Sequence, residues 1–300
     1  MNAVILLAAL LAATSLAAPE PDGSTAIVSA TAMPTASRFS VTVEGRGPDI
    51  VLIPGLLSSR RIWDQAVAGL GGRFRFHRLQ VAGFAGDPPA GNSEGPLLMP
   101  IVDALHAYIV TNRLQRPAIV GHSMGGLIGL MLAERYPDDA GKLLIVDALP
   151  FYPLVFGPGV TPEAIAPQAE MMRDSLLAMP PSTFEAQEKA MIASLARNEA
   201  ARPALLADAL ASDRGVAARI TFELMTTDVR PQLGAVRIPV TIAYATNDHA
   251  PLTRLGPLYA DAYRGLAGAR LVSVDQSYHF IMLDQPGRLA ALLHGFLDAR

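Results

Sequence analysis

The chain has 300 residues, 51% of them hydrophobic and only 17% charged, with 24 Lys and Arg against 27 Asp and Glu for a net charge of -3. That much apolar material fills a substantial core and excludes a wholly disordered chain, and the near balance of charge leaves no basic face for nucleic acid and no charged tail for an electrostatic membrane partner. Cysteine is absent, which excludes a disulfide framework, a thiol nucleophile, a zinc-thiolate centre and a lipid-modified cysteine.

The first eighteen residues, MNAVILLAALLAATSLAA, form an uncharged apolar run that ends in small residues and is short for a bilayer span. Residues 1–17 read as a secretory signal peptide cut after Ser15-Leu16-Ala17, because cutting one residue later puts Pro19 at an awkward position; the one departure is an n-region without Lys or Arg. The expected mature protein is exported, periplasmic or secreted, with no stable membrane span. Residues 18–37, rich in Pro, Ser, Thr and Ala without a sustained period, predict a flexible lead-in.

From Phe39 short apolar runs alternate with helical patterns, which predicts strands and crossover helices building a mostly parallel sheet. Strands are expected at Phe39 to Glu44, Ile50 to Ile53, Arg75 to Val81, Ala118 to Gly121, Leu143 to Val146, Val240 to Ala245 and Arg270 to Val274. Unbroken runs such as Leu143-Leu144-Ile145-Val146 are what strands covered by helices on both faces require. Leu97, Leu98, Ile101, Val102, Leu105 and Ile109 repeat at helical spacing, as do Leu289, Leu292, Leu293, Phe296 and Leu297 near the end. Residues 151–234 break the rhythm, with helical stretches such as Phe184 to Arg197 and Pro203 to Ala211 and no convincing strand. They predict a helical insertion between core segments 38–150 and 235–300.

Gly121-His122-Ser123-Met124-Gly125 follows the apolar run Ala118-Ile119-Val120 and precedes a small-residue helix from Gly126 to Arg135. A G-x-S-x-G turn between strand and helix holds the serine in a strained conformation with its hydroxyl above the sheet. Both glycines are needed there, since a Cβ would collide with neighbouring strand or helix. Ser123 is therefore the candidate nucleophile.

On this motif and its context the chain resembles the α/β-hydrolase superfamily from residue 39 to the C-terminus. The resemblance implies a mostly parallel central sheet flanked by helices, with a helical cap inserted after the sixth strand. It implies an oxyanion loop after an early strand, here Val51-Leu52-Ile53 followed by Pro54-Gly55-Leu56-Leu57, with proline where histidine is usual. The backbone N–H groups of Leu56 and Met124 are the expected oxyanion donors. The base should follow the last strand, which selects His279 among six histidines. His77 falls in a predicted strand and His106 and His294 on helices, His122 braces the oxyanion region, and His249 precedes the last strand. The acid should end the preceding strand, which favours Asp248, with Asp147 as the alternative because some relatives carry the acid there. Val81 stands where the family's structural Asp-x-x-Gly-x-Gly turn usually begins.

Such a set implies acyl transfer: His279 takes the proton of Ser123 during attack on a carbonyl, and water later releases the acyl-enzyme, with no metal or cofactor needed. Five of the eleven methionines, Met171, Met172, Met179, Met191 and Met225, lie in the insertion, which fits either an adaptable apolar pocket or packing of the cap on the core. The expected activity is a carboxylic ester hydrolase acting on a small-molecule ester with an apolar acyl or aryl part. Carbon-carbon bond, amide or lactone hydrolysis and perhydrolysis on the same triad remain alternatives, as does a non-catalytic ligand-binding role. The oligomeric state stays open.

Overall fold

A computed structural model of the chain describes residues 37–299. The predicted signal peptide lies outside the described residues, as does the lead-in apart from Ser37. The core elements are β1 (Phe39–Gly45), β2 (Asp49–Ile53), α1 (Asp64–Gly69), β3 (Arg75–Val81), α2 (Leu98–Thr111), β4 (Ala118–His122), α3 (Met124–Arg135) and β5 (Lys142–Val146). The insertion carries α4 (Pro162–Ala178), α5 (Pro181–Leu195), α6 (Arg202–Leu210) and α7 (Arg214–Thr226). The core resumes with β6 (Val240–Thr246), α8 (Leu252–Ala262), β7 (Arg270–Asp275), α9 (Ile281–Asp284) and α10 (Pro286–Asp298). Numbered from Phe39, the strand before the insertion is the fifth rather than the sixth.

The seven strands form one sheet in the order β1-β3-β2-β4-β5-β6-β7. Only β1 runs antiparallel, against β3, and the remaining pairs are parallel. Alternate residues of the central strands serve two separate cores, because side chains of a strand point to opposite faces. Ile53, Ile119, Leu143 and Ile145 pack in one cluster, while Leu52, Val120, Leu144 and Val146 pack in the other. This two-sided burial explains the unbroken apolar runs.

Register sets the working edge. Ile53 pairs with Gly121 and His122 with Val146, so the residues following β2, β4 and β5 leave the sheet side by side at its C-terminal edge. Open parallel sheets bind ligands at that edge. The insertion is latched to the core below: Glu223 of α7 accepts the N–H groups of Leu97 and Leu98, each at 2.7 Å, at the N-terminus of α2, where helix amides lack internal partners. No helix among the described residues is long and apolar enough to cross a membrane.

Candidate active site

Ser123 joins β4 to α3 with φ 53° and ψ -120°, a region that costs an L-residue about 1–3 kcal/mol and persists only when its surroundings fix it. Its N–H continues the β5 ladder by donating to the Val146 carbonyl at 2.9 Å, and its own carbonyl accepts the N–H of Gly126 at 2.8 Å. The flanking glycines have steric causes: a Cβ on Gly121 would overlap the Gly125 carbonyl, and one on Gly125 would overlap the carbonyl of Ile53. The elbow therefore closes directly onto the loop after β2.

That loop, Pro54 to Leu57, turns through Leu57 at φ 54°. Gln80 of β3 braces it from beneath: its side-chain amide donates to the Ser58 carbonyl at 3.3 Å and accepts the Arg60 N–H at 2.9 Å. Met124 is the first residue of α3. Among the described residues neither the Leu56 nor the Met124 N–H is taken up by a backbone carbonyl or a side chain, so both amides are free to meet a developing negative charge.

His279 lies in the turn after β7 and is 4% exposed. Its Nδ1 stands 2.7 Å from Oδ2 of Asp147, which fixes the proton on Nδ1 and leaves Nε2 as the basic nitrogen. Asp147 follows β5 at φ 52°, and its N–H bonds the Ala243 carbonyl at 2.7 Å. Its Oδ1 accepts the Ala245 N–H at 2.9 Å and the Tyr259 hydroxyl at 3.2 Å. The carboxylate thus substitutes for the next carbonyl of the β5 ladder and keeps three donors.

Asp248 is not brought to His279. It is exposed at the tip of the turn after β6, because the preceding residue, Asn247, is the one whose side chain folds inward. Asn247 Oδ1 accepts the N–H groups of His249 and Ala250 at 3.0 and 3.1 Å, a tight Asx turn that points Asp248 and His249 to solvent. The structure therefore joins Ser123, His279 and Asp147 at one sheet edge and leaves Asp248 outside it.

The profile of the alpha/beta hydrolase family matches residues 50–292. The chain belongs to the alpha/beta hydrolase family. It is 26% identical over 270 residues to a pimeloyl-[acyl-carrier protein] methyl ester esterase of Aeromonas hydrophila, covering 86% of this chain and 100% of that one. Among solved structures it superposes on the enol-lactonase of Burkholderia xenovorans LB400 with TM-score 0.70 at 20% identity, over 87% of this chain and 96% of the other. An esterase from Exiguobacterium antarcticum gives TM-score 0.72 at 16% identity over 87% and 96%. At these identities the superpositions establish the fold.

Within this hydrolase fold the other histidines have structural partners or face solvent. His77 sits between Asp49 and Tyr108, His106 stacks on Tyr136 and contacts Asp139, and His294 donates to the Gly69 carbonyl. His122 is buried beside the site: its Nε2 donates to the His279 carbonyl at 3.1 Å. Its pKa is pushed well below the usual 6.5, first by burial and then by the nearby His279 ring. A neutral ring there keeps a second positive charge away from His279.

Tyr152 has no sequence signal and is the site's unexpected member. Its hydroxyl lies 3.3 Å from Ser123 Oγ, and among the described residues the serine hydroxyl is bonded to it and not to His279. Burial raises the phenol pKa above its usual value, so Tyr152 holds the Ser123 hydroxyl as a neutral hydrogen-bonding group.

Ser123 and His279 open into one cavity roofed by α4 to α7, with Leu176, Met191, Leu195 and Leu205 among its walls. Of the five methionines in the insertion only Met191 lines it. Met172, Met179 and Met225 are buried elsewhere, and Met171, one position and about 100° round α4 from Met172, is 60% exposed. Packing of the insertion, and not an adaptable pocket, accounts for most of them.

Proposed function

We propose that the protein is a serine hydrolase that cleaves carboxylic esters with an apolar acyl or aryl part through an acyl-enzyme on Ser123. The observation that carries this reading is the Asp147-His279 pair set at 2.7 Å together with a serine held at φ 53°, Ser123 and His279 both lining one predominantly apolar cavity. Similarity of 86% of this chain to the whole of a methyl ester esterase supports the same class.

Substrate entering the cavity places its carbonyl over Ser123. The serine hydroxyl swings from Tyr152 to His279 Nε2, and His279 takes its proton as Oγ bonds to the carbonyl carbon. Asp147 holds the ring's tautomer and stabilises its charged form. Leu56 and Met124 amides receive the oxyanion, and such a donor is worth about 3 kcal/mol of barrier. Collapse of the tetrahedral species expels the alcohol, protonated by His279. Water then attacks the acyl-enzyme by the same route.

The test is a fluorophosphonate treatment followed by intact-mass measurement, with p-nitrophenyl esters of graded chain length assayed beside amide and lactone substrates. The expected result is one adduct, lost in Ser123→Ala together with ester turnover. Unchanged ester rates in Ser123→Ala would refute the assignment.

A further inference from the structure

Glu188 lies on α5 in the middle of that helix's apolar stripe, one turn from Phe184 on one side and from Met191 and Ile192 on the other. It is 5% exposed and lines the same cavity as Ser123 and His279. Among the described residues neither of its carboxylate oxygens has a hydrogen-bond donor or a cation against it. The buried Asp208 and the half-buried Glu223 of the insertion differ: Asp208 meets Arg61 at 2.8 Å, and Glu223 accepts two helix amides.

A carboxyl in an apolar stripe without a partner is unfavourable for folding alone, since buried polar groups are ordinarily paired and a leucine would pack there at no such cost. The cavity offers little relief. Thr221, on the facing helix α7, already donates its hydroxyl to the Ala217 carbonyl at 2.8 Å. Its oxygens are not sealed off but reachable from the cavity, so a donor that enters, water or a substrate group, supplies the missing partner.

We propose that Glu188 is a specificity-determining residue that hydrogen-bonds a hydroxyl carried on the apolar part of the substrate, so that the preferred esters are hydroxylated and not plain alkyl or aryl esters. This rests on the ester-hydrolase reading above. Burial pushes the Glu188 pKa up to about 7, so both protonation states are accessible near neutrality. A hydroxyl both donates and accepts, and so it pairs with either one. An ammonium would need the ionised form and would surrender its hydration to a single counter-charge, which favours the neutral donor.

The experiment uses p-nitrophenyl hexanoate, a series in which one hydroxyl is scanned along the same chain, and the 6-amino analogue. Wild type, Glu188→Gln and Glu188→Leu are compared by kcat/KM, with thermal melts to confirm folding. One hydroxylated ester should exceed the plain ester by roughly 10- to 100-fold, the worth of one buried hydrogen bond to a carboxyl. Glu188→Leu should abolish that ratio, through KM more than kcat, while Glu188→Gln keeps part of it. A wild type with no such preference, a preference that survives in Glu188→Leu, or a preference for the amine would each overturn the proposal. Calorimetric binding of hexane-1,6-diol and 1-hexanol to Ser123→Ala, with and without Glu188→Leu, reads the same contact without chemistry. Tighter diol binding that depends on Glu188 supports the contact even if no ester is turned over, and equal binding refutes it even if esters are.

Discussion

Asn247 reaches from the end of β6 to the loop that carries His279, its Nδ2 donating to the Ser277 carbonyl at 2.9 Å. The same side chain caps its own turn through Oδ1, so one amide ties the position of His279 to the sheet and turns Asp248 outward. Asp147 fills the space this leaves behind the imidazole, approaching from the neighbouring strand β5.

Asp147→Asn should therefore lower kcat by about 10⁴, the loss expected when the acid of such a triad becomes an amide and the ring takes the wrong tautomer. Asp248→Asn should leave kcat and KM near wild type, because an exposed turn carboxylate has no contact with the ring. Steady-state kinetics on one p-nitrophenyl ester compares them directly. A larger loss in Asp248→Asn would overturn the placement of the acid.

The choice between these two aspartates marks where the sequence stops being informative. All seven expected strands lie within a residue of their positions, because long apolar runs bounded by turns admit few other readings. The elbow is equally legible because its pentapeptide sits between an apolar strand run and a helix, although only the Gly121 collision is local and that of Gly125 is with Ile53 on a distant strand. Asp147 and Asp248 both follow predicted strands, and what separates them is the inward rotamer of Asn247, a tertiary fact without a periodic signature. Tyr152 and Gln80 escaped for the same reason: each acts on residues distant in the chain. Helix α4 is masked by its prolines: Pro162, at the first helical position, is tolerated there, whereas Pro167 lies inside the helix, where a proline ordinarily argues against helix.

The elbow glycines give a prediction about folding. Gly125→Ala would drive a methyl into the Ile53 carbonyl, and both partners are backbone in packed elements, so neither can move aside cheaply. The expected result is a loss of more than about 4 kcal/mol or failure to fold, read from urea unfolding followed by circular dichroism. Gly287→Ala, with nothing near its Cβ position, serves as the tolerated control.

Tyr152→Phe separates a holding role from a proton-transfer role. A neutral hydrogen bond is worth about 1 kcal/mol, so removing the phenol should change the rate of fluorophosphonate labelling at Ser123 by less than about tenfold. Since burial raises the phenol pKa, Tyr152 cannot serve as a base near neutral pH. Labelling that falls by as much as in His279→Ala would overturn the holding role and place the phenol in the proton-transfer step beside the imidazole.

Glu188 also predicts how stability depends on pH. The unfolded chain releases this proton near its ordinary value of 4.5, whereas burial holds it in the folded protein to about 7. Between those values the folded state binds more protons, so stability falls as pH rises through the window and levels off above it. A shift of this size amounts to ~3 kcal/mol. Glu188→Gln has no such proton and should escape the loss, so its stability relative to wild type should improve by about that amount between pH 4.5 and pH 8. Because the other titrating groups are common to both proteins, the difference between their urea midpoints at the two pH values isolates residue 188. Parallel curves would show that the Glu188 carboxyl is solvated in the folded protein.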